Sequence, residues 1–547
     1  MSIDRRAILG AGLGLAGIPL LSGCGGGGQT GRPNPSGGIQ RADSLADLVP
    51  KFVQFSPLPP DLPASENVDP GYLGYPRRLV RSVSGKAAKD GTRYRAMTPA
   101  WWPIPPGPEN NDYYQAMNDA LGLRIDFTVI DGNDYGNKLA TTLASKRVPD
   151  ITQVPVWNRP QDFSAAIVPT LFEDLTDLLS GDIATKWPNL ANLPTKAWQA
   201  CVFGDGLYGI PASVDGGISD ALFYRADLFE ERGLEPPTSA QAWLELCEQI
   251  TDPREDRWAC GDVMAEARRM YGAGATWWRE AGELVNAVES DAFVEALAFA
   301  RKLFDREHVH PGIVSGNQAD AKQLFESGQM WQYVDGVGAW HEALDRQRPG
   351  KPSFRMLPFP PFAGDGSSDP TYYSGGYARM QAHIKKGLPA ESVEELLGAL
   401  NYIAAPYGTR EYDLVNFGPE GVTHKKNADG VPELTEQGMQ QVTSTYAFLV
   451  ARPDVISKPR YPDYVRDMHA WQKLVAPHIQ EDLLGGLNVE EPPRFQTLQQ
   501  PLDDIQSDIL RGRAPVSDWK PAVRKWRRDG GDELREFYQK NLDKVGR

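Results

Sequence analysis

The sequence predicts an α/β protein built in layers and divided among more than one lobe. Three observations predict it. From Asn111 to Gly122, Tyr114, Met117 and Leu121 recur at helical spacing. Directly after, Leu123, Ile125, Phe127 and Val129 alternate with Arg124, Asp126 and Thr128, as in a half-buried strand. The 547 residues exceed one ordinary core, at about 100–200 residues per domain, so two or three lobes are expected.

The elements follow in order. Arg5 and Arg6 form a basic head, and an apolar run extends from Ala7 to Leu21, broken only by small residues and Pro19. That run is shorter than the roughly 20 residues a bilayer requires. Residues 1–23 therefore read as a cleaved export signal. Leu21-Ser22-Gly23-Cys24 resembles the bacterial lipobox, whose cysteine is diacylated. Two acyl chains anchor stably where one is marginal, at about 0.8 kcal/mol per buried CH₂. Arg5-Arg6 also resembles a twin-Arg signal, so the export route stays open between two systems. Residues 24–92 begin with Gly25 to Gly28 and a run of Pro, Gln, Ser and Asn to about Gly38, a tether composition. A Pro-rich stretch with Phe52, Phe55, Tyr72 and Tyr75 then runs from Arg41 to Thr92 and is expected to lie extended along the surface.

Beyond the first helix and strand, a second helical pattern covers Asn137 to Ser145, and Pro149-Asp150-Ile151 opens another strand. Strands and helices alternating at these lengths make an α/β body. Thr238 and Gln241 spell a capping box. Trp243, Leu246, Cys247 and Ile250 then share a helix face, as do Phe293, Leu297, Ala300 and Phe304. Leu502, Ile505 and Ile509, then Leu534, Phe537, Tyr538 and Leu542, make the C-terminal part helical. There is no internal repeat.

A net charge of −15 argues against nucleic-acid binding, which needs net or clustered positive charge. The basic run Arg524-Lys525-Trp526-Arg527-Arg528 reads as a solvated helix face interleaved with acids. After Cys24 only Cys201, Cys247 and Cys260 remain, so at most one bridge forms within the chain. A Cys247–Cys260 disulfide is expected in an exported protein, against the alternative of three buried thiols. No Cys-x-x-Cys or His-x-x-x-His pair offers a metal site, and His341-Glu342 lacks its second histidine. Gly12-x-Gly14-x-x-Gly17 spells a dinucleotide fingerprint but lies inside the export signal, with no strand before it. Neither a phosphate-binding loop nor a Gly-x-Ser-x-Gly elbow is present. No cofactor is expected.

What remains is aromatic. Trp101-Trp102 sits among Pro and Gly, Trp157 follows the Asp150-Ile151 strand, and Trp277-Trp278 follows Gly272 and Gly274. Trp331 and Trp340 flank Asp335-Gly336, and Tyr372, Tyr373 and Tyr377 surround Gly375-Gly376. Aromatics in such loops, beside Asp, Asn and groups such as Arg159, suit a flat-faced polar ligand such as a sugar. Its C–H faces stack on rings while its hydroxyls take hydrogen bonds.

Several segments together resemble a known family. They are Pro149-Asp150-Ile151, Leu175-Thr176-Asp177-Leu178-Leu179, Gly206-Leu207-Tyr208-Gly209-Ile210-Pro211, and Leu222 to Phe229 followed by Pro236-Pro237-Thr238. His308-Val309-His310-Pro311, Asn416-Phe417-Gly418-Pro419-Glu420-Gly421, and Ile509-Leu510-Arg511-Gly512 with Trp519 and Gly530 to Tyr538 continue the series. In this order the chain resembles bacterial extracellular solute-binding lipoproteins of carbohydrate ABC importers. Within that family it resembles the larger subgroup related to alginate-oligosaccharide binders, over most of Tyr94 to Val545.

The resemblance implies a two-lobe periplasmic-binding-protein-like fold of the class II type, with hinge crossovers and a helical C-terminal extension. It places lobe 1 at 93–214 plus about 358–410, and lobe 2 at 215–357 plus about 411–547. It implies a non-enzyme: a membrane-anchored monomer that takes an oligosaccharide or sugar derivative between its lobes and delivers it to an ABC permease. By the family pattern, Trp101, Trp102, Trp157 and Arg159 belong to the first lobe's share of the site. Trp277, Trp278, Asp335 and Trp340 belong to the second, with Asp215, Tyr372 and Tyr377 near the crossings. Relatives carry a calcium loop after the helix that here ends near Ile250. This chain has the short Asp252-Pro253-Arg254-Glu255-Asp256-Arg257, with Arg where some of the 6–8 oxygen ligands would be needed, so no metal is expected. Two other readings remain at this stage: an exported glycoside hydrolase or lyase, and a surface lipoprotein without a transport role.

Overall fold

A computed structural model describes residues 45–89, 91–160, 162–213, 218, 220–314, 321–366, 369–374, 377–544 and 546–547. The export signal, Cys24 and Asp215 lie outside the described residues. Among those described, no helix is long and apolar enough to cross a membrane.

The first sheet starts with β1 (Thr92–Ala100), joined by α1 (Asp112–Leu121) to β2 (Leu123–Asp131), which pairs with β1 in parallel. Asn111 caps α1 by accepting from the Tyr114 N–H at 3.0 Å. Gly122 ends it in the left-handed conformation, φ 75°, which costs glycine least. Helix α2 (Tyr135–Ala144) then leads to β3 (Ile151–Pro155), parallel to β1, and β4 (Ile210–Pro211) lies at the far edge.

The chain then crosses to a second sheet. This contains β5 (Asp220–Tyr224), β6 (Trp258–Cys260), β7 (Met330–Gly336) and β8 (Leu357–Pro358), in the spatial order β8-β5-β7-β6. Its helices include α3 (Ala240–Ile250), α4 (Met264–Met270), α5 (Asp291–Asp305) and α6 (Gly338–Gln347). Ser239, not Thr238, caps α3, accepting from the Ala242 N–H at 3.2 Å. A second crossing contains β9 (Tyr372–Tyr373) and returns the chain to β10 (Met380–Ile384), antiparallel to both β3 and β4. The first sheet therefore reads β2-β1-β3-β10-β4.

Each sheet has its own core. Ala96, Ile125, Ile151, Ala382 and Leu397 belong to one, and Phe223, Trp243, Ala259, Met330 and Phe359 to the other. Val415, Tyr446, Leu449, Val450 and Ala451 pack into the first core, while Ile456 and Tyr464 pack into the second. The third crossing thus falls between 451 and 456, not near 410. The C-terminal helices α7 (Pro462–Val475), α8 (Gln500–Leu510), α9 (Trp519–Trp526) and α10 (Asp532–Lys544) cover the second core. In the basic run, Trp526 turns inward at 3% exposure, while Lys525 pairs with Asp529 and Arg527 with Asp532.

The Pro-rich stretch is extended, but its tyrosines are anchored. Gly71–Tyr72 pairs in parallel with Ile456–Ser457, and Tyr72 and Tyr75 are buried against Tyr407. The expected Cys247–Cys260 disulfide is not formed: Cys201, Cys247 and Cys260 are free, buried thiols. Cys247 on α3 and Cys260 on β6 meet inside the second core. Burial, with the neighbouring Cys260 thiol, pushes the Cys247 thiol well up. In the loop after α3, Asp252 and Glu255 both turn onto Arg257.

Candidate functional site

Strand direction brings several of the candidate residues together. β1 and β3 are parallel and end at Ala100 and Pro155, so the residues after them emerge along one edge of the sheet. β10 runs the other way and starts there, Met380 opposite Pro155. Trp101, Trp102, Trp157, Asn158, Arg159, Tyr377 and Arg379 consequently share this edge. In open α/β sheets, the crevice outside the carboxyl ends of parallel strands is where ligands bind. β4 leaves the sheet by the same edge and leads into the first crossing. That crossing enters β5 at Asp220, beside the carboxyl end of β7, where Asp335 and Gly336 lie. The first crossing thus joins this edge of the first sheet to the edge of the second sheet that carries Asp335.

On the first lobe the edge is aromatic and solvent-facing. Trp157 is 51% exposed and Trp101 39%. Their ring centroids are 6.3 Å apart, Trp101 lies 6.0 Å from Phe448, and Trp102 meets Phe448 edge-on at 4.8 Å. The Arg379 guanidinium sits 5.5 Å from the Trp157 ring centre. Gly132 makes the fold of Trp101 possible, since a Cβ there would lie 2.2 Å from the indole nitrogen. In the same loops, Trp102 Nε1, Asn158 Oδ1, and Arg159 Nε and Nη2 are buried without a hydrogen-bond partner. The Arg159 guanidinium lies between Phe163 and Phe203, 5.2 and 5.1 Å from their centres. Burial lowers its pKa to about 10, which leaves it charged at neutral pH.

The second lobe's edge is charged. Asp335 accepts from the Tyr333 hydroxyl at 2.8 Å and from the Gly336 N–H at 2.7 Å. Arg269 bridges Asp220 at 2.7 Å and Glu266 at 3.0 Å. Trp278 is partly buried against the second core.

Three expected site residues are corrected. Trp277 is 2% exposed and packs on Tyr538, while its neighbour Trp278 is only partly buried. Trp340, at 1%, lies on the inner face of α6 against Phe223 and Tyr464. Tyr372 is buried, its hydroxyl donating to Glu266 at 3.2 Å. All three are core. Sequence reasoning missed Asn158, Arg379, Phe448 and, near Arg159, Asn488. Asn158 carried the one local signal, its place beside Trp157, whereas the other three come from distant parts of the chain.

Among the described residues, no group of three or more His, Cys, Asp or Glu side chains could hold a metal ion.

The model of the bacterial extracellular solute-binding protein family matches residues 107–382, just over half of the chain. The chain belongs to that family. It is also 19% identical over 493 residues to lipoprotein LipO of Bacillus subtilis strain 168, covering 85% of this chain and 94% of that protein. Among solved structures, it resembles the N-glycan transport solute-binding protein NgtS of Streptococcus pneumoniae, with a TM-score of 0.60 at 14% identity, covering 83% of this chain and 99% of that one. It likewise resembles the alginate-binding protein AlgQ2, solved without calcium, with a TM-score of 0.59 at 14% identity over 84% of this chain and 99% of that one. A solute-binding protein for HMO from Bifidobacterium longum infantis gives 0.58, also at 14% identity and over 84% and 99%. At these identities the likeness establishes the fold.

Proposed function

We infer that the protein is a lipid-anchored extracellular binding protein that takes an oligosaccharide or sugar derivative into the interlobe crevice and presents it to an ABC permease. The observation that carries the reading is the partly exposed Trp101–Trp157 pair at the carboxyl edge of the first sheet, in loops that also carry polar atoms without partners. A sugar ring satisfies both features at once, stacking its C–H face on an indole and exchanging hydrogen bonds with Asn and Arg. The names of the structural relatives, for N-glycan, alginate and HMO, support the sugar class. A solute bridging both lobes favours one interlobe arrangement by its differential affinity for it, and that arrangement is what the permease reads.

A thermal-shift screen over neutral and acidic oligosaccharides tests this. A solute at 100 times its Kd adds about 2.7 kcal/mol of stability. Mass spectrometry of the recovered solute should find it intact; shortened products would identify a hydrolase or lyase instead.

The anchor rests on Leu21-Ser22-Gly23-Cys24 and on the likeness to a lipoprotein. Cys24→Ser should move the protein from the membrane fraction to the medium. A Cys24→Ser protein still sedimenting with membranes contradicts lipidation at this residue.

A further inference from the structure

Three crossings after Pro211 join the lobes, the segment from Val49 through Leu62 and Leu73 to Ala88 passes between them as well, and a further connection is non-covalent. The segment from β11 (Ile479–Gln480) to Val489 belongs to the second lobe by packing: Ile479, Leu483, Leu484, Leu487 and Val489 lie against that core. The chain's last residue ties it down, since Arg547 Nη1 donates to the carbonyls of Leu483 at 3.2 Å and Gly485 at 2.8 Å.

Its polar atoms reach the other lobe. Asn488 Nδ2 donates to the carbonyls of Ala200 at 3.0 Å and Val202 at 2.6 Å, both in the first lobe. Asn488 Oδ1 accepts from Arg159 Nη1 at 3.0 Å. Lys196 and Glu481 pair across the same gap at 3.0 Å. The segment also runs along the second crossing, β11 pairing with β9 in parallel and the Ser374 N–H donating to Gln480 O at 3.0 Å.

We propose that 479–489 is a hinge strap: its Asn488 holds the two lobes at the angle seen here and must leave Ala200, Val202 and Arg159 before they can rotate apart. The chemistry makes Asn488 the centre of this lock. One primary amide supplies two donors and an acceptor, and here all of them are spent across the lobe boundary. Arg159 gains more from the contact than an exposed arginine would. It is a buried cation whose Nε and Nη2 have no partner, and Asn488 holds its remaining nitrogen. A buried polar group that loses its partner carries a desolvation cost, so the contact is either made or replaced by water on opening. Hinges change angle at a few element-terminal residues. The strap grips beside one such place, at Tyr372–Ser374. Its removal, which loses three interlobe hydrogen bonds, should raise the ratio of rotated to unrotated molecules roughly a hundredfold.

The test needs no solute, so it stands apart from the sugar reading. Spin labels on the full membrane-extracted chain at Ile183→Cys, 52% exposed on the first lobe, and at exposed Lys302→Cys on α5 report the interlobe distance. The three native thiols of the fold are buried and escape labelling. The parent should give one narrow distance, and Asn488→Ala a second or broadened one, with the melting temperatures of the two within a few degrees. If Asn488→Ala does not fold, Asn488→Ser and Lys196→Gln, which weaken the same contacts less, decide instead. Distances unchanged in every folded variant overturn the strap.

Discussion

Trp157 and Trp340 are the same amino acid in opposite circumstances, and the sequence setting did not distinguish them. Both stand near Gly, Asp or Asn. Yet Trp157 is half exposed past the end of β3, whereas Trp340 is sealed between Phe223 and Tyr464. A Gly-rich neighbourhood identifies a turn but not the direction a ring takes after it, because that direction is set by packing from distant segments. The exposure of Trp101 and Trp157 was legible since each stands just past a strand end. The burial of Trp277, Trp340 and Tyr372 was not. Replacing Trp340 by Ala should cost about 3–5 kcal/mol in denaturant unfolding, through lost burial and a cavity. Replacing Trp157 by Ala should cost under about 1 kcal/mol by the same measurement, since half of the ring already meets water. Equal losses at the two positions would contradict the burial described here.

At the scale of elements, the strongest local signals gave the best agreement. The helix expected from Asn111 to Gly122 is α1, with Asn111 as its cap and Gly122 as its stop; β2 follows directly, as the alternation from Leu123 predicts. Asn111 is buried and also donates to Gln441 O at 3.4 Å. Asn111→Ala should therefore destabilise by about 1–2 kcal/mol, at the upper part of the range for a lost cap, read as a lower denaturant midpoint at unchanged slope. An unchanged midpoint would mean the cap contributes nothing. Strands β4, β8, β9 and β11 are two residues each and were beyond sequence reasoning. A pair of residues carries no period, and these strands exist because a neighbouring strand presents free backbone groups. The strap depends on Asn488, Ala200 and Arg159, and no local pattern joins positions so far apart.

The whole molecule couples its stability to pH most strongly through two histidines, one per lobe, whose protonation burial opposes, and His308 adds in the same direction. Burial pushes His383 on β10 and His341 on α6 down to about 3. His383 accordingly stays neutral in the fold, its Nδ1 bonded to Tyr208 O at 2.9 Å. An unfolded histidine titrates near 6.5, so below that pH the unfolded chain binds protons that the fold refuses. Stability is complete above pH 6.5 and falls as pH drops toward 3, by roughly 2 kcal/mol for each histidine at pH 5. Melting temperature should drop clearly between pH 7 and pH 5. The drop should shrink when both are replaced by Gln; a slope unchanged by those replacements would contradict the burial of the rings. The two-lobe plan was legible from length and family resemblance, but the third crossing was misplaced by some forty residues because core membership past Val415 is decided by tertiary contact.

The central claim is that solute is held at the carboxyl edge of the first sheet. The most direct measurement is calorimetric titration of the oligosaccharide that most raises the melting temperature, into the parent protein and Trp157→Ala side by side. Loss of a stacking ring should weaken binding at least tenfold, about 1.4 kcal/mol, with the fold intact. Equal affinity in the two proteins would place the solute elsewhere and contradict the site.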